Sequence, residues 1–183
     1  YKTAALVSAL KQAGAEVYVL MTKHAMEFVG PATFEALSGH RVISDTFHSE
    51  EFLIPHIRLG SRADLLIAAP ATGDLVAKLA CGIADDMLTS TFLAATCPKL
   101  VVPAMNVNMY ENPATQENIA TLKRRGVTVL DPATGHLAEG SIARGKMPEP
   151  SVLYRMAGSP AVKDAASFDD VAADRWSAGY IAY

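Results

Sequence analysis

Several kinds of protein are argued against by what this 183-residue chain has little of. Cysteine occurs twice, at Cys81 and Cys97, with no Cys-x-x-Cys pair and no Cys/His clustering. Neither a disulfide framework nor a metal site is therefore indicated, and both thiols are expected to be buried. Long hydrophobic runs are absent: stretches such as Leu65 to Ala71 fall well short of the roughly 20 residues that cross a bilayer. No charged segment followed by an apolar core opens the chain as a secretion signal would. The expectation is a cytoplasmic protein with no membrane partner. Positive charge is not in excess either, the formal net charge being −3, and no block of like charge suggests a binding tail, so nucleic acid is not an expected partner.

What is present is apolar and periodic. Half of the residues are hydrophobic, enough for one compact core but cramped for two. Helical and strand periods alternate along the chain, which predicts an α/β fold with a doubly wound, Rossmann-like parallel sheet. Tyr1 to Ala13 reads as a helix stopped by Gly14, Glu16 to Met21 as a buried strand, and Pro31 to Leu37 as a helix with Gly39 behind it. Val42 to Ile54 is irregular. Ala63 to Ala69, "ADLLIAA", reads as a strand covered on both faces. Helical segments follow from Leu75 and from Asp85, then a strand over Lys99 to Val102, a helix over Pro113 to Arg125 and a strand over Val127 to Leu130. Residues 1–150 form the expected domain. Residues 151–183, rich in Ala, Asp and Ser, are expected to be a partly mobile tail.

The chain opens inside a helix with no strand before it, whereas a doubly wound fold ordinarily begins with strand, Gly-rich turn and helix. The first strand is thus expected to be missing from this chain, and the turn whose amides would cradle a phosphate would sit just before Tyr1.

Open α/β sheets bind ligands beyond the carboxyl ends of their strands, and the segments found there are unusual. Thr22 follows the first strand. "PATGD" follows the second: Pro70 ends the strand, Ala71 and Gly73 are small enough for close approach, and Thr72 and Asp74 stand at a helix start, where a plain helix cap and a ligand site are both open readings. "PAMNVNMY" follows the third, setting Ala104, Met105, Asn106, Met109 and Tyr110 at the mouth of a buried strand. "GHLAEGSIARGKM" follows the fourth. His56, in "IPHIRLG", is either a satisfied structural histidine or a group that holds or moves a proton near neutral pH.

Taken together, "YKTAALVSALKQAGAEV", "MTKHAMEFVGP", "HIRL" with "ADLLIAAPAT", "LACGIADDMLTSTFLAA", "PAMNVNMYENPATQEN" and "GHLAEGSIARGKMPEP" resemble the FMN-dependent cysteine decarboxylase family, in unbroken order over residues 1 to about 150. Its main branch decarboxylates phosphopantothenoylcysteine in coenzyme A biosynthesis, and another acts on the C-terminal cysteine of precursor peptides. The resemblance implies FMN as cofactor, lined by Thr22, Pro70, Ala71, Thr72, Gly73, Asp74 and Ala104. It implies His56 and Asn106 as active-site residues, with Asn106 holding the substrate carboxylate and Met109, Tyr110 and Gly140 near the substrate. It also implies a homo-oligomer built on trimers.

The implied chemistry explains the residue types. A cysteinyl carboxylate has no sink for the electrons left by departing CO₂; removing a hydride from Cβ makes a thioaldehyde whose C=S accepts them, leaving an enethiolate. The cofactor carries the redox step and the protein supplies orientation and electrostatics. A neutral amide holds the carboxylate without the charge lock of an arginine. Two positions depart from the family pattern. Glu139, in "LAEG", stands where many coenzyme A branch members carry the Cys that donates a proton as the enethiol is reduced; Asp74 stands where an Asn is common. Phosphopantothenoylcysteine is the favoured substrate. The alternatives are oxidative decarboxylation of a peptide's C-terminal cysteine, which needs no reduction of the enethiol, and a catalytically silent flavoprotein acting as a regulatory subunit.

Overall fold

The computed structural model describes residues 1–47, 52–136, 140 and 142–158, together with the backbone of 179–182. Its centre is the pair β2 (Leu65–Ala71) and β3 (Lys99–Pro103). Alternate residues of these strands enter opposite cores: Leu66, Ala68 and Val101 face one, and Leu65, Ile67, Leu100 and Val102 the other. That is why both strands read as continuous apolar runs. Helices α4 (Pro55–Arg62), α5 (Gly73–Cys81), α6 (Met87–Ala94) and α8 (Pro113–Arg124) supply Leu59, Leu79, Phe92 and Leu122 to the first core. Helices α1 (Lys2–Gln12), α3 (Pro31–Ser38) and α9 (Pro150–Ala157) supply Leu6, Phe34 and Leu153 to the second.

Among the described residues the sheet runs β1 (Tyr18–Leu20), β7 (Gly179–Ala182), β2, β3, β4 (Thr128–Val129), and every pairing is parallel. The slot between β1 and β2, for which the sequence offers no strand ahead of α1, is filled from the other end of the chain. Tyr180 pairs with Tyr18 on one side and Leu66 on the other, and Ile181 with Val19 and Ile67. Val19, Leu66 and Ile67 are almost wholly buried, so an empty slot would strand two rows of buried backbone donors and acceptors. Four residues in an unpatterned stretch are too few for strand periodicity to register, which is why β7 is not legible in the sequence. The stretch after residue 150 likewise begins with α9, packed on α1.

Three further elements escape the sequence reading: α4, which starts at Pro55 and carries Gly60 inside it; the single-turn α7 (Val107–Glu111); and the antiparallel hairpin β5 (Ala133–His136) with β6 (Ile142–Lys146), the last two too short to show a period. The expectation for the cysteines needs one correction. Cys97 is buried, and that burial pushes its thiol up to about 11, but Cys81 is exposed. It is the last residue of α5, just before the left-handed Gly82 that ends the helix and turns it out of the core. Among the described residues no helix is long and apolar enough to cross a membrane, and no group of three or more potential metal ligands assembles.

Candidate functional site

The carboxyl ends of the parallel strands deliver the segments singled out in the sequence to one edge of the sheet. Thr22 follows β1 and caps the short helix α2 (Lys23–Met26), its hydroxyl accepting from the Ala25 amide at 3.2 Å. Thr72 follows β2 and caps α5 in the same way, accepting from the Leu75 amide at 3.2 Å. Asn106 follows β3 and caps α7, its Oδ1 accepting from the Asn108 amide at 2.9 Å. The helix-cap reading offered for Thr72 therefore holds, Thr22 and Asn106 cap their helices in the same way, and the caps fix these side chains where the strands open.

The second and third segments touch. The Ala104 amide donates to the Ala71 carbonyl at 3.0 Å. A Cβ built on Gly73 would lie 3.5 Å from Met109 Cε and 3.6 Å from Met105 Sδ, so the two thioethers rest on the glycine. Met109 nonetheless stays half exposed, an apolar wall facing outward. Asp74 is mostly solvent-exposed and pairs along its own helix with Lys78 at 3.4 Å; Asp85 holds Lys78 at 3.1 Å from the other side and raises its pKa. The Asp74 charge is thereby balanced within the helix it opens.

Asn106 Oδ1 accepts the cap bond, and the Nδ2 of the same amide is a donor, the kind of group a carboxylate accepts from. Tyr110, on the same helix, is 4% exposed, and its hydroxyl donates to Asp131 Oδ1 at 3.2 Å. Burial first, and Asp131 second, raise its pKa and keep it a donor. Tyr110 thus lies in the core behind the site. His56 is the second residue of α4. α4 ends two residues before β2 and packs on α6. His56 Nδ1 is buried and has no hydrogen-bond partner among the described residues, which is costly for a polar atom and marks it as available to a ligand. No hydrogen bond joins His56 Nδ1 to the Asn106 segment. Glu139 lies outside the described residues; Gly140, next to it, is exposed with φ +88° at the tip of the hairpin.

Other contributors carry no motif. Lys2, almost fully buried, donates to the Met147 carbonyl and to Glu149 Oε1, each at 2.7 Å, and Thr3 donates to the Ala69 carbonyl at 3.0 Å. These bonds tie the start of α1 to the end of β2 and to the segment after the hairpin. Asp131 and Arg144 pair at 3.1 Å. Their spacing in sequence gives no hint of that contact.

A flavin would require small residues beside a flat ring, an apolar wall and polar groups at the rim. Ala71, Gly73 and Ala104, the thioethers of Met105 and Met109, and the strand-end groups of Thr72 and Asn106 fit that requirement. The fold defines a class: an α/β domain with a parallel sheet, a kind of fold that as a rule takes its ligands beyond the carboxyl ends of the strands.

The chain belongs to the Flavoprotein family, which it matches over residues 1–157. It is 49% identical over 158 residues to the coenzyme A biosynthesis bifunctional protein CoaBC of Bacillus subtilis, an alignment that takes in 86% of this chain and 39% of that protein. The chain thus spans about two fifths of that relative's length. Among solved structures, the FMN-dependent cysteine decarboxylase SpaF superposes with a TM-score of 0.75 at 32% identity, covering 90% of this chain and 89% of SpaF. A PPC decarboxylase mutant complexed with pantothenoylaminoethenethiol superposes with a TM-score of 0.75 at 28% identity, covering 86% and 91%. The chain is therefore a homologue of FMN-dependent cysteine decarboxylases.

Proposed function

We propose that this chain decarboxylates a terminal cysteinyl carboxylate with FMN, and that phosphopantothenoylcysteine is its substrate. The observation that carries this reading is the junction of Ala71–Gly73 with Ala104–Met109 at the strand ends, in a chain half identical to a coenzyme A biosynthesis protein. When bound, FMN would supply the hydride acceptor that this reaction needs. Thr22, Pro70, Ala71, Thr72, Gly73, Asp74 and Ala104 would hold it. Asn106 presents amide donors to the substrate carboxylate and, being neutral, does not penalise its loss as CO₂. His56 holds or removes the thiol proton, with its buried Nδ1 as the atom that lacks a partner. Met105 and Met109 keep water from the reacting carbon, and Gly140 lets the hairpin tip approach the substrate.

An assembly belongs to the same proposal. Beside His56, α4 leaves Ile57 about half exposed, and the residues leading into it leave Ile54 about half exposed and Leu53 almost wholly so. Apolar surface next to a site is the kind a second copy covers, and a trimer-based homo-oligomer is the form we propose.

The test is anaerobic mixing of the FMN-loaded protein with phosphopantothenoylcysteine, following flavin bleaching and the mass of the product. His56→Asn keeps much of the hydrogen-bonding volume and loses the proton chemistry, so bleaching should slow by roughly a hundredfold or more while flavin stays bound. Bleaching at the wild-type rate would make His56 structural. One residue favours a second reading: Glu139, in place of a cysteine proton donor, suits an enzyme that releases the enethiol of a peptide. A product lacking CO₂ alone supports the first reading, and one lacking CO₂ and two hydrogens the second. FMN binding with neither product would leave the silent flavoprotein.

A further inference from the structure

Helix α7 has five residues, too few to hold its shape by its own hydrogen bonds, yet it begins with the amide on which the proposed chemistry rests. Something outside the helix must hold it. At the front end, the Met105 amide donates to the Gly145 carbonyl on β6 at 3.0 Å. At the back end, Tyr110 is buried, its carbonyl accepts from Gln116 Nε2, and its hydroxyl donates to Asp131 Oδ1. The same carboxylate oxygen takes the guanidinium of Arg144 at 3.1 Å, and that guanidinium lies over the Tyr110 ring, 5.2 Å from its centroid. Two adjacent hairpin residues, Arg144 and Gly145, thus grip the two ends of the segment 105–110 that contains Asn106.

We infer that Tyr110, Asp131 and Arg144 form a lock that fixes hairpin β5–β6 against α7, and that they are positioning residues for Asn106. The inference rests on the decarboxylase reading for its functional half only. An exposed Arg–Asp pair alone contributes little. Here one carboxylate oxygen is shared by a hydroxyl and a guanidinium, and the cation also stacks on the ring of the residue that donates the hydroxyl. Removing any member loosens the other two, so the effects of paired substitutions should fall short of the sum of the single ones. Asp131 and Arg144 are not asked for chemistry; what they set is where the amide stands.

The experiment uses the whole chain with FMN and three variants that preserve shape: Tyr110→Phe, Asp131→Asn and Arg144→Met. Hydrogen exchange reads the lock directly. The Met105 amide should exchange roughly tenfold faster in Arg144→Met and Asp131→Asn, while amides of β2 and α5 keep their wild-type protection. Turnover reads its purpose: kcat/KM for the cysteinyl substrate should drop roughly tenfold in each variant, most of it as raised KM, with flavin absorbance unchanged. Arg144→Lys, which keeps the charge, should recover part of both losses. In an Asn106→Ala background the lock substitutions should cost nothing further in turnover. Wild-type exchange at Met105 in Arg144→Met would overturn the lock. Faster exchange with undiminished turnover would overturn its role toward Asn106. A wild-type protein that decarboxylates neither substrate class would overturn the function instead, and the exchange data would still decide whether the lock exists.

Discussion

The segments leaving β2 and β3 do the same topological job by different physical means. After β2, the chain enters a nine-residue helix capped at its start by Thr72 and closed at its end by left-handed Gly82; both caps lie within the element they serve. After β3, it enters a single turn whose cap is Asn106, and whose remaining support comes from Gln116, Asp131 and the hairpin, six to some forty positions away. The first segment is assembled locally, and the second exists only when the rest of the domain is in place. In the proposed function the locally built segment faces the cofactor, and the dependent one, beyond Ala104, faces the substrate. That division allows substrate handling to be adjusted without disturbing the flavin.

The largest effect should come from removing what both segments stand on. Deleting residues 179–183 takes β7 out of the middle of the sheet and exposes the pairing edges of β1 and β2. The expected result is loss of cooperative unfolding by circular dichroism and calorimetry, in excess of any single substitution here. A truncated protein that unfolds with the wild-type midpoint would show that β2 and its helix need no partner on that side.

Next comes Asn106→Asp, which strikes the dependent segment at its chemical end. Aspartate caps a helix as well as asparagine does, so α7 should persist and flavin should remain bound. A carboxylate facing the substrate carboxylate at about 4 Å and an effective dielectric near 20 costs about 4 kcal/mol. Substrate affinity should therefore fall by roughly a thousandfold, measured as the concentration that half-bleaches the flavin. An unchanged half-bleaching concentration would remove Asn106 from the carboxylate site.

The same division explains what could be read from the sequence. β2, β3, α1, α3, α5, α6 and α8 announce themselves by period, caps and stops that lie inside each segment, and the strand-end residues Thr22, Thr72 and Asn106 follow from where those strands stop. The lock residues Asp131 and Arg144 do not, because their meaning is a contact between elements. α4 is hidden by Pro55 at its start and Gly60 inside it, both poor helix formers, which leaves His56 without an element, and β7 by its brevity and its distance from its partners. Tyr110, which the resemblance sets near the substrate, has its ring in the core and its hydroxyl on Asp131, a contact between elements that its sequence position does not announce.

A smaller effect is expected at Gly60, where α4 crosses the end of α6. A Cβ there would meet the Ala95 amide nitrogen at 3.0 Å and the Ala94 carbonyl carbon at 3.1 Å. Both are backbone atoms and give little. Gly60→Ala should cost about 1–3 kcal/mol by overpacking, offset slightly by the better helix propensity of alanine, and should tilt the helix that carries His56. Denaturant midpoints measure the first consequence and the rate of flavin bleaching the second. A more stable Gly60→Ala protein would mean that the two helices separate freely, and that His56 is not held by this crossing.

The smallest effect should come from Thr72→Ala, and it tests the comparison most directly. Loss of the cap leaves the Leu75 amide without its side-chain acceptor, which costs about 1 kcal/mol, whereas Thr72→Ser should cost almost nothing because the hydroxyl remains. Both values follow from equilibrium denaturation. If the segment after β2 is built locally, loosening its cap should leave the hairpin undisturbed, and the Met105 amide should exchange at the wild-type rate. Besides the backbone bond from Ala104 to Ala71, the route for crosstalk is the contact of Gly73 with Met105 and Met109, which is apolar, undirected and tolerant of a few tenths of an ångström. Should Thr72→Ala speed exchange at Met105 as much as Arg144→Met does, that contact transmits more than packing. The two strand ends would then be one cooperative unit, and substrate handling could not vary independently of the flavin site.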